Sequence, residues 1–375
     1  MLLLLLPCLA LANPAVAMDH VTVRRDGDRI HLSGRVLVEA EDGGLLLEAR
    51  DGVLWGLQPD EIVDRKSDDV PFSPLDRKEM AELILGELPA GFSVLNTANY
   101  MIFYDTSATY AKWCGALFER LHWAFSNYWT KKDFELDEAE FPLVAVIFAD
   151  KGDYARFAKT ELGEAAGSII GYFSLRTNRM TMYDLTGTES LRRYANARGT
   201  SQGITRILAR PEAQLTVATI IHEATHQIAH NCGLHQRYSD CPVWFSEGIA
   251  VYFETPDLKS SKGWRGIGAV NRPRLAQFHK YFRSRPPNSL ETLIRDDKRF
   301  HDAKQSLDTY AEAWALTYFL IKQHPKEYLA YLRMLSEKKP LIYADPKQRV
   351  AEFEKVFGDL DILDMEFIRF MRRVR

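Results

Sequence analysis

Apolar and polar positions follow two different rhythms along this chain, and the change falls near residue 92. Over residues 19–62, "VTVRRDGDRIHLSGRVLVEAEDGGLLLEARDGVLWGL" breaks into short β-prone runs separated by Asp26-Gly27, Asp42-Gly43 and Asp51-Gly52. Glycine accepts positive φ without steric cost, so each pair reads as a hairpin turn. The pattern predicts a small antiparallel β module over residues 18–64. A polar stretch, "DRKSDDVPFSPLDRKE", and a short helix in "RKEMAELILGEL" predict a connector over 65–91.

From residue 92 the pattern turns mixed. "FSVLNTANYMIFYD" reads as extended, and "SATYAKWCGALFERLHWAFSNYW" as an amphipathic helix starting at a Ser cap. "FPLVAVIFA" predicts a buried strand, residues 150–161 a short helix, and "GSIIGYFS" with "RMTMYDL" two neighbouring strands. Trp113, Phe118, Trp123, Phe125 and Trp129 are assigned to core packing. A further helix is announced by Pro211 at its start, Glu212 beside its positive end and Gly233 past its end. Beyond residue 256 the chain reads as mostly helical. The expected fold class is α+β: one large domain over 92–375, with an α/β half to about 235 and a helical half from about 236, preceded by the all-β module.

The chain has 375 residues, 46% of them hydrophobic, enough for a sizeable core. Its formal net charge of -3 and the lack of Lys/Arg tracts with interleaved aromatics, apart from the short "RFMRRVR" end read as a basic helix terminus, argue against a nucleic-acid partner. Residues 1–17, "MLLLLLPCLALANPAVA", read as a secretory signal cleaved before Met18, with Ala15-Val16-Ala17 as the small-residue site. No Lys or Arg precedes that run, and Leu-Pro-Cys8 lacks the small residues that precede a lipidated cysteine. The expectation is an exported protein, periplasmic or extracellular, with no stable membrane insertion. In an oxidising compartment Cys232 and Cys241 are expected to pair across their loop, leaving Cys114 buried; a Cys/His zinc cluster is disfavoured because no CxxC spacing occurs.

The chemistry sits in "IIHEATHQIAH". His222 and His226 are four residues apart on a helix that is apolar on nearly every face, so both imidazoles project from one side. Zn2+ takes that arrangement from a two-ligand segment, and Glu223 lies beside the metal, where it can deprotonate a water. Two imidazoles and a carboxylate inside such a helix would cost several kcal/mol, roughly, unless paired or metal-bound. The competing reading is a polar helix face without metal.

A third ligand decides the class. His230 and His235 are candidates, but metzincin offsets hold Ala229 and Cys232 here, and His230 lies two turns beyond His222. Glu247, in "VWFSEGIAVYFE", is the better candidate: this second helix, entered at Ser246 or earlier, can pack back antiparallel. Two histidines and a glutamate with an open fourth position make a catalytic zinc set.

HEATHQ followed by "WFSEGIAVYFE" resembles the gluzincin metallopeptidases of the peptidase MA-like group. In more detail it is similar to a family of exported bacterial proteins of unknown function in that group. The resemblance covers about residues 92–330 and omits the β module. It implies a zincin-like metallopeptidase fold, one Zn2+ per chain on His222, His226 and Glu247, and Glu223 as general base. It further implies that the strands of "GYFSLRTNRMTMYD" border the cleft, with an edge that pairs with an extended peptide, and that Tyr310 steadies the oxyanion. The alternative for Tyr310 is helix packing against Trp314 and Tyr318. Thermolysin-like enzymes carry an Asp one turn after the glutamate ligand; Val251 stands there, so Glu254 either orients His222 or His226 or ends a solvated helix.

The expected activity is hydrolysis of peptide bonds in a peptide or protein substrate of the cell envelope. The alternatives are a zinc-binding, non-hydrolytic recognition module on the same scaffold, and an envelope adaptor without metal.

Overall fold

The computed structural model describes residues 17–187, 200–255 and 266–375. The expected signal segment, apart from Ala17, lies outside these residues. Among them no helix is long and apolar enough to cross a membrane. The chain divides into two compact units, one up to Met80 and one from Ala81 on.

The first unit is an all-β sheet of five strands in the order β4-β3-β2-β1-β5, with β1 (Ala17–Arg25), β2 (Asp28–Glu39), β3 (Leu45–Ala49), β4 (Leu54–Leu57) and β5 (Ile62–Pro71). Every strand pair is antiparallel. Asp26 and Gly27 both take positive φ, 54° and 92°, between the paired residues Arg25 and Asp28. That is the tight two-residue hairpin the sequence announces. Val21, Val23, Leu32, Leu45, Leu47 and Leu57 close its apolar core.

One expectation needs correcting. Residues 65–71, expected as connector, continue β5, which lies at the sheet edge against β1. Its side chains are largely exposed, so no apolar alternation marks it. Backbone pairing and cross-strand polar contacts hold it: Ser67 Oγ donates to Asp19 at 2.6 Å and Arg65 Nε at 3.0 Å.

The second unit opens with the end of α1 (Arg77–Glu87) and builds a five-stranded mixed sheet in the order β6-β7-β8-β10-β9. Its strands are β6 (Ser93–Asn96), β7 (Tyr100–Tyr104), β8 (Leu143–Phe148), β9 (Gly171–Phe173) and β10 (Arg179–Tyr183). The central trio β7, β8 and β10 is parallel, and β9 runs antiparallel at one edge. Every residue of β8 is buried, which explains its unbroken apolar run. Helix α2 (Ala108–Thr130) starts at Ser107, whose side chain accepts from Tyr110 N–H, and α3 (Lys151–Leu162) at Asp150. Of the five aromatics assigned to packing on α2, four are buried, but Trp123 is 60% exposed. It falls opposite the face that carries Leu117, Phe118, Leu121 and Phe125.

Helices α4 (Ser201–Leu208), α5 (Pro211–Asn231) and α6 (Val243–Phe253) follow. The helical remainder comprises α7 (Arg272–Tyr281), α8 (Ser289–Arg295), α9 (Lys298–His301), α10 (Ser306–Gln323), α11 (Pro325–Ser336), α12 (Pro346–Phe357) and α13 (Leu360–Met371). Helix α5 packs on the sheet through β8, β9 and β10, and α6 lies between α5 and α10. The architecture is α+β, with an N-terminal all-β unit and a helical C-terminal half.

Cys232 and Cys241 are separate thiols, contrary to the expected disulfide. Cys232 ends α5 with Sγ turned back to Ala229 O at 3.8 Å, while Cys241 Sγ lies 3.7 Å from His235 Nδ1. Sequence spacing set a loop length but not the direction of either sulfur. Cys114 is buried, as expected.

Candidate metal centre

Helix α5 runs through the middle of the second unit. Ala213, Val217, Ile220, Ile221, Ala224, Ile228 and Ala229 are all at most 1% exposed, so its flanks are core. Against that background His222 and His226 bring their Nε2 atoms to 3.0 Å of each other. From α6, Glu247 closes the third side: Oε2 lies 3.0 Å from His222 Nε2 and Oε1 3.5 Å from His226 Nε2. Among the described residues these three form the one group of His, Cys, Asp and Glu with the reach to share an ion.

These separations can be tested against a metal. With zinc bonds of about 2.0–2.1 Å in a tetrahedron, neighbouring donor atoms stand roughly 3.3 Å apart. The two imidazole nitrogens stand 3.0 Å apart, and each faces a different Glu247 oxygen, at 3.0 Å for His222 and 3.5 Å for His226, all close to that value. Glu247 Oε2 is buried and meets His222 Nε2 at hydrogen-bonding distance, 3.0 Å. A buried carboxylate converging with two imidazole nitrogens fits a divalent cation. The donor set, two nitrogens and a carboxylate, suits Zn2+.

Electrostatics agree with the geometry. Burial alone would raise the Glu247 carboxyl, but His226 and His222 outweigh it and hold it well below the usual range. Burial would lower His222, yet the carboxylates of Glu247 and Glu254 raise it well above the ordinary imidazole value. Glu223 behaves differently. Burial, helped by Glu247, pushes its pKa up against the pull of both imidazoles. Its Oε2 accepts Phe173 N–H from the edge strand β9 at 2.9 Å, which leaves Oε1 to face the site.

Glu254, the C-cap residue of α6, orients the site. Its Oε1 accepts from His222 Nδ1 at 2.8 Å, which points Nε2 at the shared point. Asn271 Nδ2, 3.3 Å away, donates to Glu254 Oε2, and Arg274 Nη2 stands 3.7 Å from Oε1. Neither Asn271 nor Arg274 was anticipated; both come from the start of α7, and nothing in their local sequence marks them.

The other candidates fall as follows. His230 and His235 stay outside the triad. The His230 ring stacks on Phe173 at 5.7 Å, and His235 is buried 5.4 Å from His230. Burial holds His235 down at about 3, so it is a neutral imidazole. Tyr310 is near the site: burial and the charges of Glu247 and Glu223 push its phenol up. It packs on Phe300 and beneath Arg274, while Trp314 and Tyr318 pack on each other.

Residues 216–342 match a family model described as "Protein of unknown function (DUF1570)". The matched segment covers less than half of the chain and holds His222, Glu223, His226, Glu247, Glu254 and Tyr310. Its description assigns no activity. No curated protein matches the chain.

Proposed function

We propose that this chain is an exported zinc-dependent metallopeptidase of gluzincin type, acting on a peptide or protein of the cell envelope. The observation that carries the reading is the convergence of His222, His226 and Glu247 beside Glu223, a carboxylate with no ligand duty and a raised pKa. A purely structural metal site has no use for such a base and closes all four positions with protein. Export rests on the apolar leader of the sequence.

A Zn2+ ion held by His222 Nε2, His226 Nε2 and the Glu247 carboxylate would supply Lewis-acid polarisation of the scissile carbonyl and a water of lowered pKa. Glu223 Oε1 takes the proton of the attacking water and returns it to the leaving amine. Phe173 N–H keeps the Glu223 carboxylate turned towards the site. Tyr310 donates a hydrogen bond to the carbonyl oxygen as it gains negative charge. The edge strand β9 offers main-chain groups to an extended peptide.

The test is metal analysis and peptide-library digestion of wild type beside Glu223→Gln, both purified without chelators. The reading expects about one zinc per chain in each and cleavage by wild type alone. Wild type that holds zinc and cleaves nothing supports the recognition-module alternative. A chain that takes up no metal removes both.

A further inference from the structure

Helix α5 carries two polar stripes side by side. His222, His226 and His230 recur every four residues along one; Glu223, Gln227 and Asn231 recur along the next. The first stripe supplies two of the metal-site imidazoles. The second grips the rim of the sheet at three levels. Lowest is the bond from Phe173 N–H to Glu223. One turn on, Gln227 Nε2 donates to Val144 O in β8 at 2.9 Å and to Asn178 O, beside the start of β10, at 3.1 Å. At the top, Asn231 and Asn178 exchange amide hydrogen bonds of 2.8 and 2.7 Å, and Asn231 Nδ2 also reaches Gln227 O at 2.8 Å.

Helix–sheet packing does not require these contacts, since Ala224 and Ile228 on the same helix are fully buried apolar residues. Apolar surfaces tolerate small slides; hydrogen bonds weaken steeply with misalignment. Gln227 is 0% exposed and Asn178 4%, so a slide would leave amides unsatisfied in a dry interior. The second stripe therefore fixes register. What it registers is the outward edge of β9, whose Phe173 N–H is given to Glu223 and whose other main-chain groups are those of Gly171 and the Phe173 carbonyl. Ser174 N–H bonds to Arg179 O, so the alternate residues Gly171 and Phe173 turn their backbone groups away from β10.

We propose that Gln227, Asn231 and Asn178 form a registration clamp. They are positioning residues that hold the outward edge of β9 at a fixed height over the metal ligands, so that an extended main chain paired with β9 delivers its carbonyl to the site. The proposal deepens the peptidase reading and rests on it.

Asn178→Gly is the cleanest probe. Asn178 sits at φ 60°, which glycine adopts freely, so the turn survives while the amide pair is lost. Asn178→Asp keeps the acceptor for Asn231 Nδ2 and serves as the conservative variant. Two measurements are made on the full chain: amide hydrogen exchange over residues 171–174, and affinity for acetohydroxamate against a peptidyl hydroxamate. Asn178→Gly is expected to speed exchange at Phe173 about tenfold and to leave zinc content and acetohydroxamate affinity unchanged. The extra affinity of the peptidyl probe should fall about tenfold and recover in part in Asn178→Asp, in keeping with loss of one to two buried hydrogen bonds. Unchanged exchange overturns the clamp. Faster exchange with the peptidyl advantage intact overturns its positioning role while the peptidase reading stands. A wild type that prefers neither probe sinks both.

Discussion

Glu254 Oε1 lies 2.8 Å from His222 Nδ1, joining residues 32 positions apart. One short helix, α6, thus supplies a carboxylate of the candidate metal site near its middle and the partner of one of that site's imidazoles at its end. Removing that partner frees the His222 ring to rotate and weakens its basicity. Glu254→Gln, which keeps an acceptor but not the charge, should lower zinc affinity about tenfold, and Glu254→Ala towards about a hundredfold. Competition with a chelating dye measures both. Equal affinity in all three proteins would show that His222 is held by packing alone.

Tyr310 offers a second check on the same pocket. If its phenol donates to the developing oxyanion, Tyr310→Phe removes one hydrogen-bond donor and nothing that touches the metal. Turnover should fall about a hundredfold while zinc content and thermal midpoint stay at wild-type values. Turnover within a factor of about two of wild type would return Tyr310 to a packing role against Phe300.

Much of this was legible in the sequence because the decisive residues are local. HEATHQ lies on one helix whose period places His222 and His226 together, and the second helix around Glu247 announces itself by its apolar run. Alternation and Asp-Gly pairs likewise marked the hairpins of the first unit. What escaped depends on polar contacts across the fold. Strand β5 is an exposed edge carried by its ladder, so it left no hydrophobic trace. The i, i+4 recurrence of Glu223, Gln227 and Asn231 was visible, but its partners Phe173 and Asn178 lie in another element. Asn271 and Arg274 reach Glu254 only through the placement of α7. The misjudged disulfide shows the same limit, since side-chain direction is a tertiary property.

Gly248, next to Glu247, marks the closest approach of α6 to α10. A Cβ there would lie 2.0 Å from Thr317 Oγ1 and 3.0 Å from Ala313 O. Thr317 is fully buried, so it has little room to yield. Gly248→Ala should cost about 1–3 kcal/mol in urea unfolding and reduce zinc affinity by displacing the adjacent ligand. Adding Thr317→Ala removes the nearest atom and should restore part of each loss. A single variant with wild-type midpoint and zinc affinity would mean that α6 shifts freely, and that Glu247 is not held by this contact.

The pH dependence follows from the opposed shifts of His222 and Glu247. In protein stripped of metal, the pKa of His222 is raised above its ordinary 6.5. Protonated His222 then stabilises the fold fully below 6.5, and that contribution is lost as pH rises through the raised value. Glu247 is depressed below 4.5, so its contribution is present above 4.5 and is lost as pH falls through the lowered value. Near neutrality the stripped site therefore holds a proton on His222 against a charged Glu247. A metal needs the Nε2 lone pair and must expel that proton. Zinc uptake at pH 7 should release about one proton per ion, and apparent affinity should rise about tenfold per pH unit through the neutral range. Calorimetric titration in two buffers of different ionisation enthalpy measures the release directly. A binding enthalpy that ignores the buffer would mean that His222 is neutral before metal arrives, and that the carboxylates around it do not hold the charge their geometry implies.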